Sequence, residues 1–174
     1  MARINQRNRQ LAILVIRKAA KYIDSKDGSC FVIAEIAKYC DCQVRFLNTA
    51  FQGLCQCSAK DFLQIYQAIR MRGAIKSDPN KSIEELARRC GMSLTPTMKR
   101  VFAALHGIRI ADFREQCIQE LEAGSLAITN NDCMTASDLV EDALKRLGIP
   151  GGAKGEILRL SSCYNSGIKK ARQV

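Results

Sequence analysis

Tryptophan is absent from the 174 residues, and histidine occurs once, at His106. A histidine-based metal site or a Ser-His-Asp triad would have to rest on that single imidazole. No apolar run approaches the ~20 residues that a membrane helix needs, so a transmembrane reading is excluded. The longest early run, Leu11 to Ile16, is too short for the apolar region of a secretory signal. A cytoplasmic protein with no membrane partner is expected. Sustained period-two alternation of β-branched residues is also missing, which removes the main strand signal and leaves an all-α reading. The nine cysteines are an odd number with no secretory signal beside them, which argues against a disulfide framework.

Negative charge is scarce. Asp and Glu number 17 against 27 Lys and Arg, a net charge of +10. The excess is uneven. Residues 1–114 hold 20 basic and 9 acidic side chains, whereas residues 115–174 hold 7 and 8. A basic block on a folded domain points to a polyanion, with nucleic acid as the default partner. An apolar content of 47% fits an ordinary core, and the length suits one domain or two small ones.

Residues 1–9 read as a basic arm carrying Arg3, Arg7 and Arg9. Residues 10–24 then place Ala12, Val15, Ile16, Ala19, Tyr22 and Ile23 on one helical face, with Lys18 and Lys21 on the other side. The informative feature is an internal repeat. Residues 33–62, IAEIAKYCDCQVRFLNTAFQGLCQCSAKDF, align with residues 83–113, IEELARRCGMSLTPTMKRVFAALHGIRIADF. Ile33, Ala37 and Cys40 match Ile83, Ala87 and Cys90. After one extra residue in the second copy, Leu47, Phe51, Asp61 and Phe62 match Met98, Phe102, Asp112 and Phe113.

Each copy parses as helix, tight turn, helix. Ile33, Ile36 and Ala37 form the inward stripe of the first short helix. Asp41 and Gly91 take the turn, where a left-handed backbone favours Gly and is tolerated by Asp. A second helix over 43–53 buries Phe46 or Val44 with Leu47, Ala50 and Phe51. Ser82 to Glu85 is a capping box, and Ser58 to Asp61 is a weaker version that opens a long helix over 59–76. Ser77-Asp78-Pro79-Asn80 ends that helix. Thr95-Pro96 places Pro in the first turn of the second copy's second helix, with Thr95 and Ser93 competing to cap it.

With these motifs in place, residues 11–114 resemble the DNA-binding domain of AraC/XylS-type transcription regulators. The matching elements are IAEIAKYCDC and FLNTAF, the linker start SAKDFLQ, and SIEELARRCGM and MKRVF followed by DFRE. Asp41 stands where that family favours Gly, and Met92 where it commonly has Phe. The resemblance implies two helix-turn-helix units joined by a long linker helix, over residues 10–114. It implies a regulator that activates transcription without a cofactor or catalytic activity, in a bacterial cytoplasm and on the nucleoid when bound. One monomer would read two successive major-groove segments of duplex DNA, one helical turn (~34 Å) apart. Residues 115–174 lie beyond the resemblance.

In the first unit the outward positions are Arg45, Asn48 and Thr49, which the resemblance marks as base contacts. Arg suits guanine, Asn adenine, and the Thr methyl a thymine methyl. Gln43 at the helix start is suited to phosphate. In the second unit the outward set is Thr95, Thr97, Lys99 and Arg100. Arg88, Arg89 and Ser93 are phosphate candidates. For each basic residue the competing reading is a solvated helix face.

Cys40-x-Cys42 and Cys55-x-Cys57 raise a second possibility, a redox- or metal-responsive regulator. A four-cysteine metal site is disfavoured, because a helix between the pairs separates them at ~1.5 Å per residue. Cys40 and Cys90, at equivalent repeat positions, read as small core side chains. A third possibility is an alkylation-repair protein on the same fold, but the Pro-Cys-His-Arg motif of that class is absent. His106 reads as a structural loop residue. The last sixty residues predict a helix over 114–122, a linker, a helix capped by Thr135 to Asp138, a break at Gly148-Ile149-Pro150-Gly151-Gly152 and a helix over 154–165. This helical extension fits packing on the second motif, dimerisation or contact with RNA polymerase.

Overall fold

The computed structural model describes residues 6–26 and 30–149. Among them are eight α-helices, one 3-10 turn and no strand, so the chain is all-α as expected. The elements are α1 (Gln6–Ser25), α2 (Ile33–Tyr39), α3 (Val44–Leu54), α4 (Ala59–Ser77), α5 (Ile83–Arg89), α6 (Pro96–His106) and α7 (Ile110–Glu122). The 3-10 turn Asn130–Asp132 and α8 (Ala136–Arg146) follow. No helix among the described residues is long and apolar enough to cross a membrane. The described residues fall into two compact units, 6–66 with 135–149, and 67–134. Arg3, Cys163 and the helix expected over 154–165 lie outside the described residues.

The repeat seen in the sequence is also a repeat of backbone and packing. The helices α2 and α5 are both 7 residues long, and α3 and α6 are both 11. Asp41 (φ 52°) and Gly91 (φ 64°) both adopt the left-handed conformation. In the first copy Cys42 N–H donates to the Ala37 carbonyl at 3.0 Å and Asp41 N–H to Lys38 at 3.1 Å. In the second, Met92 N–H donates to Ala87 and Gly91 N–H to Arg88, both at 3.0 Å. This nested pair satisfies the last carbonyls of a helix and turns the chain at one left-handed residue.

The helices that follow bury matching stripes. Leu47, Ala50, Phe51 and Leu54 are buried on α3, and Met98, Val101, Phe102 and Leu105 on α6. Phe51 packs on Phe62 with ring centroids 4.8 Å apart, and Phe102 on Phe113 at 5.9 Å. Truncating either central Phe to Ala would cost about 3–5 kcal/mol. The inward set differs in detail from the expectation. Val44 is exposed, Phe46 and Ile33 are half-buried, and Leu54 completes the stripe one turn beyond Phe51.

In the first unit α1 packs against α3 and α8. Ala12, Val15, Ile16, Ala19, Ala20 and Ile23 of α1 are all buried. Tyr22, expected with them, is only half-buried, because its ring turns onto Tyr39. The helix begins at Gln6, so residues 6–9 of the expected arm belong to it. Neither Gly nor Pro interrupts Gln6 to Leu11, and the helix runs on ahead of its first buried residue. The α8 helix has the expected cap, with the Thr135 hydroxyl accepting from Asp138 N–H. Its first turn is also held from across the unit. The Asp24 carboxylate accepts from Ala136 N–H at 2.7 Å, Ser137 N–H at 3.0 Å and the Ser137 hydroxyl at 2.6 Å. Arg17 donates twice to Glu141, at 2.6 and 3.0 Å. This part of the extension therefore completes the first unit.

The second unit is organised around a buried carboxylate. Asp132 accepts from Arg72 Nε at 2.8 Å, Lys76 Nζ at 2.9 Å, Thr129 N–H at 2.8 Å and the Thr129 hydroxyl at 2.7 Å. Burial pushes its pKa up. The bonds from Thr129, Lys76 and Arg72 outweigh burial and hold the carboxyl well below the usual carboxylate range. Lys76 also donates to the Ala127 carbonyl at 2.8 Å, and the Arg72 guanidinium lies 4.7 Å from the Phe113 ring centre. Gly73 admits this approach. A Cβ there would sit 2.1 Å from the Asp132 carbonyl oxygen.

Candidate nucleic-acid interface

The α3 helix starts at Val44 after an extended Gln43, whose side chain makes no capping bond. Gln43 and Arg45 are exposed. Among the described residues no carboxylate pairs with Arg45. Asn48 and Thr49, one turn on, are half-buried. The Asn48 amide oxygen accepts from Ala59 N–H at 3.1 Å, tying α3 to the start of α4. The Thr49 hydroxyl donates back to the Arg45 carbonyl at 2.9 Å. Both side chains therefore have local hydrogen-bonding roles. Lys60, which the residue pattern does not single out, is exposed and follows Ala59, whose N–H bonds to Asn48. Its only signal was the Ser58 cap, which does place it in a first turn; Asp61 N–H donates to the Ser58 hydroxyl at 3.1 Å.

In the second copy Thr95 caps α6 by accepting from Met98 N–H at 3.2 Å, and Pro96 fills the first helical position. That settles its competition with Ser93, which stays exposed and accepts from Thr95 N–H through its carbonyl at 2.8 Å. Lys99 and Arg100 are exposed away from the buried Met98 and Phe102, and Thr97 is exposed at the border of that stripe. Neither Lys99 nor Arg100 has an ion-pair partner among the described residues. Arg88 and Arg89 are exposed in the last turn of α5, with Arg89 Nη1 3.8 Å from Asp78. Other cations of this unit are paired: Lys81 with Asp78 and Glu85, and Arg109 with Asp112. Each unit thus presents one helix with an apolar inner stripe and unpaired basic side chains outside it, Arg45 on α3 and Lys99 and Arg100 on α6.

The cysteines are in different surroundings. Cys40 is buried and its thiol donates to the Val15 carbonyl at 3.7 Å. Burial, then Cys42, raises its pKa to about 11. Burial raises the Cys42 and Cys55 thiols as well, and pushes Cys57 up to about 12. Such thiols are protonated at neutral pH and are poor nucleophiles. No group of three or more His, Cys, Asp or Glu side chains among the described residues is placed to hold a metal ion.

His106 is the last residue of α6 and not a loop residue, because the helix runs on to the left-handed Gly107. Its ring meets Phe102 edge-on at 4.5 Å, and Nε2 lies 3.3 Å from the Ala68 carbonyl. Burial, then the Arg72 charge, pulls its pKa down to about 4, so the imidazole is neutral at physiological pH. Neither a protein-family model nor a curated protein nor a solved structure matches the chain.

Proposed function

We propose that the chain is a sequence-specific duplex-DNA-binding transcription regulator of the AraC/XylS type, acting as an activator and without enzymatic activity. In this reading α2–α3 and α5–α6 are its two helix-turn-helix units and α4 is the linker helix. The observation that carries the proposal is the duplication itself. Two copies of a short helix, a left-handed turn residue and an 11-residue helix each leave outward basic side chains unpaired, Arg45 in the first and Lys99 and Arg100 in the second. Arg45 on α3 and Arg100 on α6, with Lys99, are the base readers; an Arg can donate twice to guanine O6 and N7. Thr97 adds an apolar contact. Gln43, Lys60, Arg88, Arg89 and Ser93 meet phosphate. Asn48, Thr49 and Thr95 support the reading helices through their local bonds. The protonated thiols weigh against the redox-responsive alternative.

The test is selection from a pool of randomised duplex DNA with the wild type, Arg45→Ala and Arg100→Ala. The wild type is expected to enrich two base clusters about one helical turn apart. Each variant should lose one cluster, at about 1–3 kcal/mol of discrimination per guanine contact. A pool that stays random, with all three proteins showing the same salt-dependent binding, would reduce the basic faces to non-specific attraction and sink the proposal.

A further inference from the structure

The first unit exposes large apolar side chains where a water-facing helix would normally place polar ones. On α1, Leu11 is 51% exposed and Leu14 63% exposed. At 3.6 residues per turn, Leu11, Leu14, Lys18, Lys21 and Tyr22 fall within an arc of about 100°. This stripe points away from the buried Ala12, Ile16 and Ala19. It continues onto α2, because Tyr22 packs on Tyr39 with ring centroids 4.5 Å apart and Tyr39 is itself 47% exposed. Lys18 Nζ lies 5.3 Å from the Tyr39 ring centre and 2.9 Å from Asp41. Lys21 is exposed at one border of the leucine pair, and Lys26 Nζ stands 5.7 Å from the Tyr22 ring centre at the other end. No acidic residue of α1 lies on this stripe; Asp24 points to α8.

We propose that this face is a docking site for an acidic amphipathic helix of a partner protein. Two leucines one turn apart, extended by a tyrosine pair, match the apolar stripe of a helix that repeats at i, i+3, i+4. The lysines at the borders complement carboxylates flanking that stripe. Other occupants fit the face less well. A second copy laid across it by two-fold symmetry would bring Lys21 and Lys26 toward the same lysine-bordered stripe, with like charges opposed. An anionic bilayer would gain little from two leucines, because the main apolar face of α1 is already buried in the core. Phosphate backbones gain nothing from exposed leucine. None of its residues is among those assigned to DNA.

The experiment selects a displayed library of helix-forming peptides on the full-length protein and compares it with the double variant Leu11→Gln, Leu14→Gln. Both side chains are exposed, so the variant is expected to keep the wild-type unfolding temperature. The enriched peptides should carry apolar residues at helical spacing flanked by Asp and Glu. They should bind the variant at least about tenfold more weakly, as expected when the central anchors of an interface are removed. Lys21→Glu should weaken them severalfold and flatten their salt dependence. Absence of enrichment, enrichment without acidic helical pattern, or equal binding to the variant would overturn the proposal. So would self-association in sedimentation, or binding to phosphatidylglycerol vesicles, that the double variant abolishes. Duplex-DNA selection with the same variant should be unchanged. A loss there would assign the face to DNA and overturn the proposal, whereas failure of the wild type to select any DNA would refute only the DNA reading.

Discussion

Gly73→Ala is the substitution whose sign best tests the packing of the second unit. In an exposed helix interior, Gly to Ala stabilises by about 1 kcal/mol. At position 73 of α4 the added Cβ would stand 2.1 Å from the backbone oxygen of Asp132, and backbone cannot rotate away as a side chain can. Restoring ordinary contact needs a shift of about 1 Å, and overpacking of this kind costs about 1–3 kcal/mol. The shift also drags the Asp132 carboxylate from Arg72 and Lys76, now held at 2.8 and 2.9 Å. Breaking such a buried pair outright costs about 3–5 kcal/mol, and a partial opening costs part of that. After the propensity gain is subtracted, the variant should be less stable by about 2–4 kcal/mol. Urea unfolding followed by circular dichroism reads this directly; with m of about 2 kcal/mol/M, the midpoint falls by about 1–2 M. A midpoint equal to or above that of wild type would refute the reasoning.

Three further predictions concern other positions. The His106 pKa is lowered in the fold from 6.5 to about 4, so the unfolded chain binds the extra proton first. Wild-type stability should therefore fall as pH drops through that window, and His106→Gln should flatten the fall in pH-dependent urea titrations. Gln56 holds a left-handed backbone (φ 57°) that costs a side-chain-bearing residue about 1–2 kcal/mol. Gln56→Gly should raise stability by about 0.5–1 kcal/mol after the entropy of glycine is counted, visible as a higher melting temperature. Asp24→Ala removes the acceptor for two amides of the first turn of α8. A loss of about 1–2 kcal/mol is expected, with faster hydrogen exchange at Ala136 and Ser137 than in α3.

What was legible in the sequence is what local chemistry dictates. Phe51 with Phe62, and Phe102 with Phe113, stood out because the same types recur at the same spacing, and each pair is in contact. Asp41 and Gly91 were readable as left-handed, and Ser82 caps α5 by accepting from Glu85 N–H at 3.1 Å. Gln56 was not readable, since its side chain carries no left-handed preference. Its conformation matches that of Gly107 at the same place in the second copy. Nor could Gly73 be distinguished from an ordinary helix breaker, because the group it admits lies some sixty residues away. The same holds for Asp24 and α8, which are separated by more than a hundred residues. The outward positions of the candidate site were correctly found exposed at Arg45, Lys99 and Arg100. The bonds that occupy Asn48 and Thr95 depend on exact turn geometry, which a residue pattern does not carry.

The Asp132 contact has a consequence for how the chain closes. Residues 67–134 are an insert in a unit whose last described helix, α8, must return to α1. Joining the ends of an unstructured segment of that length costs about 4 kcal/mol in chain entropy. Arg72, Gly73 and Lys76 lie near the entrance of the insert and Asp132 near its exit, so their contact holds the two ends together once the insert has folded. The first unit then closes across a short gap and not across a long loop. Damage at Gly73 should therefore loosen α8 as well as the insert.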